Sequence, residues 1–332
     1  MGDSVVVVWD GDRAVPHDPA APLLRADDGA VLRGDGVFET LRVHDGRVFL
    51  LDEHLTRLAR SAAALALAVP PARAWRELAT TAAELFHAGQ AKTGARDAGS
   101  RDAGGDASGG DDASAGGGAK AGAGASCWDG RLRLTATRGP AGGAPVAYAL
   151  LEPVPASVEA ARARGVDALS LSLGVTAAGR GDAPWLLPGA KHLSYAVPMA
   201  AQRFAEAAGA GEALWVSTEG EVLEGATSSL VVVLDGRAYT PPTAELGLLA
   251  GTTVAALARL AEKAGVPGGI GERRLGADEL RAADEAMFVS SIRGVAPLVR
   301  LDGAPLGTGA VGPLGAALRD LFEQAVHRGG LD

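Results

Sequence analysis

The alternation of apolar and polar positions predicts a mixed chain of short strands and amphipathic helices. Residues 5–8 are four valines followed by Asp10-Gly11, a strand and a turn. Residues 36–43 form a second strand. Phe38, Thr40 and Arg42 lie on one of its faces and Val37, Leu41 and Val43 on the other. Asp45-Gly46 then predicts a hairpin turn into a strand at 48–51. Leucines 55, 58 and 65 mark an amphipathic helix over 54–68, and a second helix covers about 72–88. Strands at 131–137 and 148–151 lead to the connector Glu152-Pro153-Val154-Pro155. Beyond it, strands are predicted at 166–173, 213–216, 222, 230–234, 285–289 and 298–301, and helices at 194–208, 252–264 and 311–326. This pattern predicts an N-terminal α/β domain over 1–150, a connector at 151–156 and a larger C-terminal α/β domain over 157–332. There is no internal repeat.

One segment departs from the pattern. Residues 91–125 contain 11 glycines and no apolar side chain larger than alanine. Such a segment buries too little surface to offset its conformational entropy, so it reads as a disordered surface insertion without chemistry. The rest has a globular composition, with 47 % hydrophobic and 21 % charged residues among 332. The net charge of −9 argues against nucleic-acid or anionic-membrane partners. The N-terminal stretch has neither a signal-peptide pattern nor a spanning helix. With one cysteine, Cys127, no internal disulfide is expected, which fits a cytoplasmic protein.

Three places could carry chemistry. Gly189-Ala190-Lys191-His192 precedes a helix, and a sheltered lysine there could act as a nucleophile or Schiff-base former; its plain alternative is a surface lysine. A turn and strand place Glu224 ahead of Thr227-Ser228-Ser229, which puts a carboxylate in a pocket or in a solvated hairpin. Gly251-Thr252-Thr253 opens a helix whose free N–H groups suit a phosphate, or serves only as a cap. Ser290 and Ser291 could add donors. The six histidines show no metal-ligand spacing, so no metal is expected.

Taken in order, these stretches resemble the class IV aminotransferase family, the fold-type-IV enzymes dependent on pyridoxal 5'-phosphate. The resemblance is carried by Arg33-Gly34-Asp35-Gly36-Val37-Phe38-Glu39-Thr40-Leu41, by Glu53-His54-Leu55-Thr56-Arg57-Leu58 with Ser61, and by Thr137-Arg138-Gly139. Lys191 to Ala196, Glu224 to Leu230 and Gly251-Thr252-Thr253 complete it. Within the family, Gly181-Asp182-Ala183-Pro184-Trp185-Leu186 and Val216-Ser217-Thr218-Glu219-Gly220 are most similar to the actinobacterial 4-amino-4-deoxychorismate lyases.

The resemblance implies that Lys191 is the catalytic lysine holding the cofactor and that Glu224 faces its pyridine nitrogen. It implies phosphate contacts from Arg57, Thr252, Thr253 and Ser290 or Ser291, with Ser229 nearby. Arg138 matches a substrate-carboxylate position, and Arg42 and Arg293 are further candidates beside Phe38 and Thr40. Ser229 stands where the family usually has asparagine, and Val231 where it has an aromatic. Phe38 replaces the tyrosine of D-amino-acid transaminases. The activity implied first is lysis of 4-amino-4-deoxychorismate to 4-aminobenzoate and pyruvate, for folate synthesis. Transamination of D- or branched-chain amino acids is the alternative, and a cofactor carrier without turnover a third. The resemblance also implies a homodimer.

Overall fold

A computed structural model describes residues 4–101 and 128–332, with side chains described outside 91–101. The N-terminal unit contains β1 (Val5–Trp9), β2 (Ala14–His17), α1 (Gly29–Arg33), β3 (Gly36–His44), β4 (Arg47–Val48), α2 (Leu51–Ala64), α3 (Ala72–Arg101), β5 (Asp129–Thr137) and β6 (Ala147–Pro153). Its strands form one antiparallel sheet in the order β2-β1-β6-β5-β3-β4. The face of β3 carrying Val37, Leu41 and Val43 is fully buried, in one core with Leu58 of α2 and Trp75 and Leu78 of α3. The opposite face, with Phe38 and Thr40, borders a cavity.

The C-terminal unit contains α4 (Ala156–Arg164), β7 (Val166–Ser172), α5 (Ala196–Ala207), β8 (Glu212–Val216), β9 (Val222–Gly225), β10 (Ser229–Leu234), β11 (Arg237–Thr240) and α6 (Thr252–Lys263). It closes with β12 (Ile270–Glu272), α7 (Ala277–Arg281), β13 (Glu285–Ser290), β14 (Gly294–Leu301), β15 (Ala304–Pro305) and α8 (Pro313–Arg328). Its nine-stranded sheet runs β12-β11-β10-β13-β14-β7-β8-β9, with β15 on β14. The sheet is mixed: β7 pairs parallel to both β14 and β8, and β10 antiparallel to β13. Its strand β10, Ser-Leu-Val-Val-Val-Leu, reads as a near-continuous apolar run because both of its faces are covered. Val231, Val289, Leu257 and Phe322 form the core beneath α6 and α8. Among the described residues, no helix is long and apolar enough to cross a membrane.

Several predicted boundaries shift. The strand expected at 48–51 ends at Val48, because Leu50 adopts φ 55° and α2 begins at Leu51. Asp52 and Glu53 in the first turn of α2 favour that early start. The second helix runs to Arg101 rather than 88, so residues 91–101 are helical where disorder was expected. Their alanine, lysine and arginine residues are good helix formers, and extending an existing helix needs no new nucleus. The remainder of the expected insertion, 102–125, lies outside the described residues. β6 continues to Pro153, leaving only Val154-Pro155 before α4. Residues α4, β11, β12 and α7 occupy were not predicted as elements.

The two units are pinned by Phe49, which leaves the β4 end of the N-terminal sheet and sits in the C-terminal core. It is 4 % exposed and meets Phe322 edge to face at 5.5 Å. Phe49→Ala should therefore destabilise the protein by about 3–5 kcal/mol. Urea unfolding of the variant checks this through a lowered midpoint; a midpoint equal to that of the parent would show that Phe49 is not a clamp.

Candidate active site

A cavity of about 940 Å³ lies between the two sheets and takes walls from both. Lys191 reaches it from the segment before α5. Backbone pairing fixes that segment against β3: Phe38 N–H donates to Lys191 O at 3.1 Å and Leu193 N–H to Gly36 O at 2.8 Å. Glycine is required at 36, since a Cβ there would stand 2.5 Å from Ala136 O and 2.6 Å from Leu193 Cδ1. Lys191 N–H also donates to Ser61 Oγ of α2 at 3.0 Å. The ammonium Nζ donates to the Tyr195 hydroxyl at 3.1 Å and lies 4.5 Å from the centre of the Phe38 ring. Phe38 and Tyr195 meet edge to face at 5.0 Å, an apolar wall beside the amine.

Glu224, on β9, lines the same cavity. Burial pushes its carboxyl above the usual carboxylate range; Arg180 and the Leu249 N–H pull it back part of the way. Arg180 Nη1 stands 3.6 Å from Glu224 Oε1 and Leu249 N–H 3.4 Å from Oε2. A carboxyl poised in this way, open to the cavity on one side, suits a partner that carries or shares a proton, such as a pyridine nitrogen.

Another part of the cavity is rich in donors. Thr252 and Thr253 open α6, where the first-turn N–H groups have no side-chain cap. Ser290 and Ser291 end β13 and begin the turn to β14, and both line the cavity. Ser229 Oγ faces the start of α6: a Cβ on Gly251 would lie 2.5 Å from it. Ser228 Oγ is buried on the cavity wall with no hydrogen-bond partner, an orphaned donor. Arg57 lines this region while held from behind by Glu39: Nε donates to Oε1 at 2.7 Å and Nη2 to Oε2 at 2.6 Å. Nη1 donates to Ala250 O at 3.0 Å. These bonds occupy three of the five guanidinium N–H groups, so two remain for an anion.

Burial pushes the Glu39 carboxyl up, but the Arg57 guanidinium and the His54 ring hold it down to about 2. The donor set, the uncapped helix start and the carboxyl-lined region together fit pyridoxal phosphate. Arg57, Thr252, Thr253, Ser290 and Ser291 would take its phosphate and Glu224 its ring nitrogen, with Lys191 reaching its carbonyl carbon.

The arginines expected at the substrate divide. Arg293 lines the cavity, ion-paired to the fully buried Glu212. Arg42 shares the Phe38 face of β3 but does not reach the cavity. It is buried against Glu323 Oε1, Glu323 Oε2 and Asp129 Oδ2 at 2.8, 2.8 and 2.6 Å. Arg138 also lies outside, with its side chain 41 % exposed, bonded to Asp35 Oδ2 at 2.5 Å and to the Leu65 carbonyl at 2.7 Å. The cation that the pattern did not single out is Arg133 on β5. It lines the cavity with its guanidinium 3.8 Å from the Phe38 ring centre and forms no ion pair among the described residues. Its position opposite Thr40 follows from the pairing of β3 with β5, which periodicity alone does not give. Tyr195, Arg180, Glu39 and His54 likewise acquire partners only through the fold. Among the described residues, no three His, Cys, Asp or Glu side chains gather as a metal site.

The model of the family described as amino-transferase class IV matches residues 36–114 and 119–301. A bifunctional aminodeoxychorismate lyase / D-amino acid transaminase of Mycobacterium tuberculosis is 37 % identical over 324 residues, covering 95 % of this chain and 98 % of that one. A D-alanine aminotransferase of Bacillus licheniformis is 28 % identical over 301 residues, 88 % of each chain. Among solved structures, a PLP-bound form described as a hypothetical aminotransferase from M. tuberculosis superposes with TM-score 0.80 at 36 % identity, covering 96 % of this chain and 97 % of the other. A fold IV transaminase from Curtobacterium pusillum gives 0.78 at 33 %, covering 98 % and 100 %. The chain belongs to the class IV aminotransferase family, and is a pyridoxal-phosphate enzyme of the fold-type-IV architecture.

Proposed function

We propose that the protein is an aminodeoxychorismate lyase, splitting 4-amino-4-deoxychorismate into 4-aminobenzoate and pyruvate. The observation that carries this reading is Arg133, a cavity-lining cation with no ion pair among the described residues. Arg133 and Lys191 both lie against the Phe38 ring, while Arg131 and Arg293, which line the same space, are paired with Glu152 and Glu212. A substrate with two carboxylates can give one of them to Arg133. The name of the M. tuberculosis relative supports the same activity.

Pyridoxal phosphate supplies an electron sink for the carbanion when bound. Lys191 Nζ would be the base that takes the proton from the ring carbon bearing the nitrogen. The bond from ring carbon to the enolpyruvyl oxygen then breaks, and its electron pair leaves with that oxygen. A proton delivered to the departing fragment completes pyruvate, so no water is consumed. The Tyr195 hydroxyl, 3.1 Å from Nζ, is placed to hold or pass that proton. Loss of the side chain leaves the ring aromatic, which makes the step downhill. Phe38 and Tyr195 offer the apolar wall for the ring, and Arg133 a partner for a carboxylate.

Transamination of D-amino acids is the second reading. It is favoured by the bifunctional name of that relative and by the D-alanine aminotransferases among the others. It would use the same Lys191, Glu224 and Arg57.

We also propose a homodimer. Trp185 is 79 % exposed and Val197 62 %, and Leu186 and Val197 line the cavity, so a second copy would cover an apolar rim beside the site. Light scattering should give twice the chain mass; a monomer at working concentration would refute the dimer.

Two kinetic outcomes test the activity. The loaded enzyme should release 4-aminobenzoate from aminodeoxychorismate much faster than it forms glutamate from D-alanine or L-leucine with 2-oxoglutarate, the Lys191→Ala variant serving as blank in each assay. Glutamate without aminobenzoate would make it a transaminase. Arg133→Leu should raise KM for aminodeoxychorismate about 10- to 100-fold with a smaller change in kcat, from loss of a charged hydrogen bond worth about 1.5–3 kcal/mol. An unchanged KM would remove Arg133 from substrate binding.

A further inference from the structure

Behind the donors of the cavity lies a buried histidine that the chemistry above does not use. His54 is 1 % exposed on α2, three residues before Arg57. Its Nδ1 lies 2.7 Å from Glu39 Oε2. Its Nε2 lies 3.2 Å from Ser291 Oγ and 3.3 Å from Thr252 Oγ1. Thr253 Oγ1 stands 3.5 Å from the same Ser291 Oγ. The ring thus joins a carboxylate on one side to two cavity-lining hydroxyls on the other.

These distances constrain the protons. Glu39 is ionised and accepts only, so Nδ1 carries hydrogen and donates to it. Burial disfavours the charged ring and outweighs the help of Glu39, and the Arg57 and Lys191 cations also oppose it, so His54 titrates below its ordinary 6.5. A neutral ring leaves Nε2 as an acceptor, and Ser291 or Thr252 must turn its one hydroxyl proton toward it. His54 is itself only 1 % exposed, and Ser291 and Thr252 are the hydroxyls within reach of its Nε2. A dianion in the cavity makes the opposite demand: both hydroxyls must donate outward. With a neutral ring, one of them is lost to the anion or Nε2 is stranded without a partner. A proton on Nε2 removes the conflict, since the ring then donates to the hydroxyl lone pairs and frees both hydroxyl protons. The charges facing the ring are Glu39 from β3, Arg57 from α2 and Lys191 from the segment before α5; α6 and the β13–β14 turn bring it the Thr252 and Ser291 hydroxyls, and Arg293 of that turn is paired with Glu212. A dianion added to this set offsets the two cations that oppose ring protonation.

We propose that His54 is a proton-linked positioning residue of the phosphate site: its ring is neutral in the cofactor-free enzyme, and binding of a phosphate-ester dianion takes up one proton onto Nε2, which turns Thr252 and Ser291 toward the anion. The proposal rests on the reading of this part of the cavity as the phosphate site.

Sulfate tests it without cofactor chemistry, as a dianion that does not itself titrate near neutrality. Titration calorimetry of the cofactor-free full chain at pH 8, in buffers of different ionisation enthalpy, should give about one proton taken up per sulfate bound. Sulfate affinity should fall about tenfold per pH unit above the titration of the ring. In His54→Asn, whose amide can still donate to Glu39 but does not titrate, the uptake and the pH slope should both vanish. Nitrogen-15 spectra of histidine-labelled, pyridoxal-phosphate-loaded parent enzyme should show one imidazolium at pH 8 that is neutral in the cofactor-free protein. Binding without proton uptake, or a loaded enzyme whose histidines are all neutral at pH 8, overturns the proposal; the spectra need no variant to fold. Sulfate that pyridoxal phosphate fails to displace overturns the phosphate-site reading itself, and the proposal with it.

Discussion

The Glu39 carboxylate is the constraint around which the site is built. It is fully buried on the core face of β3 and is tolerated only because Arg57 meets it through two parallel hydrogen bonds and His54 through a third. An unpaired carboxylate at this depth would cost several kcal/mol. The pairing fixes the rotation of α2 over the sheet, because residues 54 and 57 must both face β3. That rotation aims the free side of Arg57 at the cavity and brings His54 behind Thr252 and Ser291. One buried charge on the N-terminal sheet therefore orients donors that also depend on the C-terminal unit.

The same strand sets the position of the amine. Lys191 belongs to the C-terminal half of the sequence, yet its backbone is paired with Phe38 and Gly36 of β3. The absence of a side chain at Gly36 permits this close approach. Strand alternation then divides the labour: Phe38 and Thr40 face the cavity, Glu39 and Leu41 the core. A one-residue slip in β3 would exchange these sets and dismantle the amine's wall and the phosphate contacts together.

Strand and helix existence was legible where periodicity was strong, as in β3, α2 and α6. The lysine, the carboxylate and the helix-start hydroxyls were legible as an ordered set, and the fold gathers them around one cavity. What escaped depended on distant partners. Arg42 and Arg133 are both arginines on the cavity-side faces of adjacent strands, but Arg42 meets Glu323, 281 positions away, and Asp129, 87 away. Those acids draw its guanidinium into a buried cluster with His44 and Arg162. Among the described residues Arg133 forms no ion pair, and it lines the cavity. Local alternation assigns a face, whereas the register of β3 on β5 and the docking of α8 decide which arginine is consumed by structure. The early start of α2 and the extension of α3 escaped for a different reason, since helix ends respond to a single backbone angle at Leu50 and to propagation from an existing turn.

Charge is graded across the cavity. Donors from α2, α6 and the β13–β14 turn gather in one region, and Glu224 with Arg180 stands in another. Near Lys191, Arg133 adds a cation that has no ion pair among the described residues. A cofactor with a dianionic phosphate and a basic ring nitrogen is matched to the first two regions by sign alone. The third is what varies in chemical meaning, because the lysine and the carboxylate serve elimination and transamination equally well. On the proposed reading, discrimination between those outcomes rests on how a substrate's carboxylates engage Arg133 and the Phe38–Tyr195 wall, and so on which bond the bound substrate presents to Lys191. The groups placed to hold the cofactor, on α2, β9, α6 and the β13–β14 turn, are thus separate from the groups beside Lys191, Phe38 on β3 and Arg133 on β5.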